Sequence, residues 1–132
     1  MTFTRLGKRS HPSIKLEGVE RFTELTEYLL EPDEGEGDIA SGIGELEWWL
    51  SGEAYQSTAA GSLWRYTRQH AGEEVGFTVA PHGNTTPTAS QPHYVGRVII
   101  GPPPALGGSA VDRVFLFAFE WRVMGEPEEV TA

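Results

Sequence analysis

Five large apolar residues at strict two-residue spacing, Phe115, Phe117, Phe119, Trp121 and Val123, form the strongest structural signal in this chain. Side chains two apart share one face of a β-strand, so residues 111–123 read as a single strand. The opposite face is apolar for most of its length as well, with Val114, Leu116 and Ala118 preceding Glu120 and Arg122. At ~3.3 Å per residue this run spans about 43 Å, long for a small domain. A strand apolar on both sides belongs at the centre of a sandwich or barrel, or against a partner.

The remaining punctuation is also β-like. Glycine (16) and proline (9) fall in clusters between short apolar runs, as expected of strands joined by turns. Residues 13–17 read as a strand with Ile14 and Leu16 on one face. Residues 22–30 fit either a helix or a strand, and the strand reading starts near Leu25. Residues 45–55 alternate clearly: Leu46, Trp48 and Leu50 point one way, and Glu45, Glu47, Trp49, Ser51 and Glu53 the other. Residues 57–70 read as the one helix, capped by Ser57, with Ala60, Leu63, Trp64, Thr67 and Ala71 facing inward and Gly72 as the stop. Strands follow at 75–81 and 94–100, separated by a polar loop at 81–92, and Pro102, Pro103 and Pro104 end the second because they cannot donate to a ladder. The sum is six or so strands and one helix.

Composition narrows the function. With 132 residues the chain holds one core and reads as a single domain. There is no cysteine, which removes disulfides, thiolate metal sites and cysteine nucleophiles. A net charge of −9 argues against gripping nucleic acid through phosphate neutralisation. No apolar run approaches the ~20 residues that span a bilayer, and the polar, basic start lacks a signal peptide's apolar segment. A soluble protein of a cytoplasm-like compartment is expected.

The charge is unevenly distributed. Residues 1–16 hold Arg5, Lys8, Arg9 and Lys15 and no acid, whereas residues 17–38 hold Glu17, Glu20, Glu24, Glu27, Glu31, Asp33, Glu34, Glu36 and Asp38 against Arg21 alone. One reading is a solvated acidic face. A second is head-to-tail complementarity, the basic end of one copy meeting the acidic stretch of another. A third is a divalent-cation loop at 31–38, though the ligand order of a calcium loop is missing.

Catalytic signatures are not found. His11, His70, His82 and His93 share no metal-ligand spacing, and there is no nucleophile elbow, P-loop or dinucleotide fingerprint. Glu45 and Glu47 lie at a separation glycosidases use, yet nothing places a sugar cleft between them. Trp49 shares their face and is open to three readings: stacking on a sugar, anchoring a protein contact, or packing beneath a loop. The chain reads as a non-enzyme without cofactor or metal.

The residues Ser62-Leu-Trp-Arg-Tyr-Thr-Arg-Gln-His-Ala-Gly72 and Val75-Gly-Phe-Thr-Val-Ala-Pro-His-Gly-Asn84 introduce a more specific pattern. Together with the loop at 85–93 and the ending Phe119-Glu-Trp-Arg-Val-Met-Gly-Glu-Pro-Glu-Glu-Val-Thr-Ala132, the sequence resembles the major tail (tail tube) proteins of long-tailed bacteriophages, in the small form of actinobacterial phages. The likeness covers residues 44–132 and extends loosely to 14–19 and 30–34, while 22–29 depart from it.

The resemblance implies a mainly β fold, a β-sandwich or partial β-barrel of the tail tube type with one flanking α-helix, over residues 1–132. Residues 1–16 would be a basic N-terminal arm, and residues 31–44 an acidic glycine-rich loop joining one ring to the next. Six copies would form a ring and stacked rings a conduit for double-stranded DNA, which passes without specific binding. Further partners would be other tail proteins, such as the tape measure and the terminator, and the site of action the virion tail after assembly in the host cytoplasm. Lumen-facing candidates are Glu45, Glu47 and Glu53. Candidates for subunit and ring contacts are Arg5, Lys8, Arg9, Asp33, Glu34, Glu36, Asp38, Trp49, Pro102, Pro103, Pro104, Phe117 and Trp121. Two other classes stay open: a tube protein of a contractile injection or secretion system, and a monomeric β-sandwich binding module using Trp49.

Overall fold

Alternating apolar residues build most of the secondary structure. The computed structural model describes residues 4–7, 11–33 and 46–132. Its elements are β1 (Ser13–Leu16), β2 (Val19–Glu20), β3 (Leu25–Asp33), β4 (Glu47–Tyr55), α1 (Leu63–Gln69), β5 (Glu74–Ala80), β6 (His93–Ile99), β7 (Leu116–Val123) and β8 (Glu128–Val130). The strands form one antiparallel sheet in the order β2-β1-β5-β6-β7-β4-β3, with β8 added to β6. Among the described residues the sheet does not close into a barrel, and β2 and β3 are its ends.

β6 is the branch point. Along one edge it pairs with β5 over six residue pairs. Its other edge is divided: His93, Tyr94 and Val95 pair with β8, and Val98 and Ile99 pair with Val123 and Arg122 of β7. Residues 124–127 loop out between these two stretches, with the Met124 N–H donating to the Arg97 carbonyl at 2.8 Å and Gly125 taking φ +82°. Two residue pairs therefore join the half-sheet β2-β1-β5-β6 to the half-sheet β7-β4-β3. Ile14 and Leu16 of the first line the same small internal void as Leu50, Phe119 and Trp121 of the second, so the two halves face each other across the core.

That core contains Phe77, Val79 and Val98 from one half and Leu50, Ala54, Phe117, Trp121 and Val123 from the other, with Leu63 and Trp64 from α1. Two cross-strand pairs repeat one device. Gly52 opposes Phe119 and Gly96 opposes Phe77, and in each the aromatic ring lies over the glycine. A Cβ on Gly52 would sit 2.3 Å from the Glu27 carbonyl and 2.9 Å from the Phe119 ring; on Gly96 it would sit 2.9 Å from the Phe77 ring. Rings covering glycine in this way fill a gap that no side chain of the same strand occupies.

Two sequence expectations need correction. The helix is shorter than 57–70 and is capped by Ser62 rather than Ser57. The Ser62 Oγ accepts the Arg65 N–H at 3.2 Å, and its hydroxyl donates to the Ser57 carbonyl at 2.7 Å. A second cap comes from afar: Glu24 accepts the Leu63 N–H at 2.6 Å, satisfying a free donor of the first turn. Ala60 precedes the helix and is exposed.

The run at 111–123 is a strand only from Leu116 onward. Gln56 sets the limit. Its Nε2 donates to the Gly107 and Leu116 carbonyls and its Oε1 accepts the Gly107 N–H, each at 2.8 Å. This clamp folds residues 107–115 into a loop in which Phe115 packs over Gly108, leaving Val111 and Val114 88% and 57% exposed. The short strands β2 and β8 were not expected from the sequence, since neither has an apolar row.

A buried cation secures the start of the helix to the segment between β2 and β3. Arg21 is 6% exposed. Its Nη1 donates to the Gly61 carbonyl at 2.7 Å and to Glu24 at 3.2 Å, and its guanidinium lies 4.9 Å from the centre of the Tyr66 ring. Burial raises the Tyr66 hydroxyl above its ordinary pKa, with Glu17 adding to the effect.

Candidate assembly surface on an acidic sheet face

The half-sheet β7-β4-β3 has one face on the core and one toward solvent, and register decides what occupies the second. Asp33 pairs with Glu47; Trp49 of β4 stands between Glu31 and Arg122, Ser51 between Leu29 and Glu120, and Glu53 between Glu27 and Ala118; Tyr55 pairs with Leu116. All of these alternate with inward residues, so among the described residues the outer face carries Glu27, Glu31, Asp33, Glu47, Glu53 and Glu120 against the base Arg122. Two of the cross-strand pairs, Glu27–Glu53 and Asp33–Glu47, oppose like charges directly. Such pairs cost roughly 0.2–1 kcal/mol each.

Glu47 and Glu53 therefore share the outward row that alternation predicts, and Glu45 lies outside the described residues. Glu53 is held by the Thr26 hydroxyl, which donates to its Oε1 at 2.9 Å. Glu47 lies 3.6 Å from Arg122, with both side chains substantially exposed, so the pair is worth at most about 1 kcal/mol. Glu27, Glu31 and Glu120 complete the face, and the sequence reading did not place them there. A bulge between Leu25 and Glu27 explains part of this. Simple alternation puts Leu25, Glu27 and Leu29 together, but the bulge turns Leu25 into the core while Glu27 and Leu29 stay outside.

Trp49 sits at the centre of this face, half-buried, with its indole N–H shielded from solvent and without a hydrogen-bond partner. Asp33 is exposed at the end of β3, and Arg5 is exposed. Lys8, Arg9, Glu34, Glu36 and Asp38 lie outside the described residues. Phe117 and Trp121, expected at a subunit contact, are instead 3% and 4% exposed and belong to the chain's own core. The Phe119 ring stacks on Trp121 with centroids 4.3 Å apart. Long alternation signals burial but not whether the chain itself or a neighbour supplies the cover.

Pro102 and Pro103 are exposed and Pro104 half-buried. The segment 101–105 runs beside β7 and encloses with it a groove of about 330 Å³ that reaches Phe117, Phe119 and Trp121. The Trp64 Nε1–H fixes this segment by donating to the Ala105 carbonyl at 2.9 Å. β7 is thus unpaired along much of the edge toward β6, and among the described residues β3 has no strand beyond it.

Among the described residues no three histidine or acidic side chains are placed to hold a metal ion, and no helix is long and apolar enough to cross a membrane. Comparison of the chain with protein-family models, curated proteins and solved structures returned no match.

Proposed function

We propose that this chain is a structural subunit of a phage tail tube, assembling into hexameric rings whose stack conducts double-stranded DNA. The observation that supports this reading is the one-sided acidic face of β7-β4-β3, with six carboxylates on a sheet whose opposite face is core. In a lumen, that face would repel phosphates at the range of the Debye length, ~8–10 Å at physiological salt. DNA would then move along a hydrated wall without being held. The edge of β3, which no described strand covers, and the partly unpaired edge of β7 would offer backbone donors and acceptors to neighbouring copies. The action is physical rather than catalytic, and needs no cofactor.

A tube subunit of a contractile injection or secretion system shares this reading apart from the capsid. The binding-module alternative has less support, because the Trp49 ring is half-buried and its N–H does not reach solvent. Electron microscopy of the purified chain tests the proposal. Rings or tubes with β7-β4-β3 lining the channel are expected; a strict monomer at all concentrations, or tubes with this face outward, would overturn it.

A further inference from the structure

Residues 111–115 belong to the alternating run of the sequence, yet the fold leaves them out of β7. Register shows where they would go. β4 and β7 pair without a slip from Trp48–Val123 to Tyr55–Leu116, and the Gln56 N–H adds one bond beyond, to the Phe115 carbonyl at 2.9 Å. In the same register the next pairs are Ser57–Val114 and Thr58–Arg113. These four residues instead line a cleft of about 580 Å³, and Val114 is left 57% exposed. The cleft is the unzipped end of the β4–β7 ladder.

The backbone on both sides of it has capacity to spare. Among the described residues the Thr58 N–H and the Arg113 N–H and carbonyl make no hydrogen bond. The Thr58 carbonyl accepts from the Arg65 Nη1 at 2.9 Å, so a charged side chain occupies the acceptor that a Thr58–Arg113 rung would use. Ser57 poses no such obstacle. Its carbonyl accepts the Ser62 hydroxyl at 2.7 Å, but hydrogen-bonded and non-hydrogen-bonded pairs alternate along an antiparallel ladder, and Ser57–Val114 would be of the second kind. The Gln56 clamp is compatible with closure as well. It pins Gly107 and Leu116, and the chain from Gly107 to Arg113 can extend about 20 Å. Closing two pairs moves Arg113 only about 7 Å along β4.

We propose that this cleft is a jaw built into the sheet, held open by Arg65 and closed by two further β4–β7 pairs, Ser57–Val114 and Thr58–Arg113. Closure lengthens β7 toward the reach that its sequence indicates and removes the cleft. The device lies within one chain and holds whether or not copies assemble.

The chain has no cysteine, so the closed jaw can be trapped. Opposed residues of a non-hydrogen-bonded pair have Cα atoms ~4.5 Å apart, within the span of a disulfide. Under mild oxidation, Ser57→Cys with Val114→Cys should therefore link about tenfold faster than Ser57→Cys with Asp112→Cys, which is two residues out of register. Adding Arg65→Met should raise the first rate severalfold and leave the second unchanged. Hydrogen exchange gives a reading without cysteine: Arg65→Met alone should slow exchange of the Thr58 and Arg113 amides relative to the unsubstituted chain. Equal linking rates for the two cysteine pairs would overturn the proposal. So would a fast link that leaves both amides as open to exchange as before. Faster exchange in Arg65→Met would do the same, by showing that Arg65 braces the loop and does not hold the jaw open.

Discussion

Glu27 and Glu53 stand directly opposite each other across β3 and β4, both on the solvent face. Opposed carboxylates lower the stability of the single chain, and Asp33–Glu47 repeats the arrangement farther along the ladder. Changing Glu27 to Lys converts the repulsion to attraction. The variant is expected to gain about 0.5 kcal/mol in urea unfolding at low salt, and the gain should shrink as salt rises, since exposed charges are screened. No gain at low salt would mean the carboxylates are farther apart in solution than their register implies.

Trp121 tests the core. It is 4% exposed and stacks on Phe119, so Trp121→Ala removes a large buried ring from the junction of both half-sheets. A loss of about 3–5 kcal/mol is expected, read by chemical denaturation, together with failure to assemble. A loss below about 1 kcal/mol would show that the ring is covered by a neighbouring chain instead of its own.

Glu20 predicts a pH dependence. Its carboxylate is partly desolvated, which disfavours the charge, but the Ser13 hydroxyl and the backbone N–H groups of Ile14, Phe22 and Arg21 outweigh this and hold its pKa below the ordinary 4.5. With the folded value below the unfolded one, the stabilisation is present above the unfolded pKa and disappears as pH falls through the folded one. Glu20→Gln should lower stability by about 0.5–1.5 kcal/mol at neutral pH. The two chains should converge in acid, as thermal melts across that range would show.

Gln56 predicts a local change without global unfolding. Its three 2.8 Å hydrogen bonds hold the 107–115 loop against the end of β4. Gln56→Ala should loosen that loop and speed tryptic cleavage after Arg113 severalfold, while the melting midpoint falls by a few degrees at most. Unchanged cleavage would show that Phe115 over Gly108 suffices to hold the loop.

Where alternation was strong, the sequence was readable. Ile14 and Leu16 located β1 and the Leu50/Trp49 alternation assigned both faces of β4, whereas residues 22–30 fit helix and strand alike until pairing with β4 decided for β3 from Leu25. The misses share a cause in contacts distant along the chain. Ser62 became the helix cap because Glu24 reaches Leu63 across 39 residues and Ser57 became its acceptor. The strand at 111–123 lost its first residues to a clamp from Gln56. β8 was invisible because pairing with β6, not a hydrophobic row, defines it. Of the acidic face, Glu47 and Glu53 could be read from β4 alone. Glu27, Glu31 and Glu120 required the register that brings three strands together.

The branch at β6 has a mechanical meaning. Since Val98–Val123 and Ile99–Arg122 are the pairs that stitch the two half-sheets, little backbone stiffness opposes a change in the angle between them. That angle is then set by the volume of the side chains wedged inside, among them Trp121, Phe119 and Leu50. Enlarging or trimming those residues should alter the curvature each subunit presents to its neighbours before it alters any strand pairing. In a closed assembly, core packing would thereby act as the gauge of diameter.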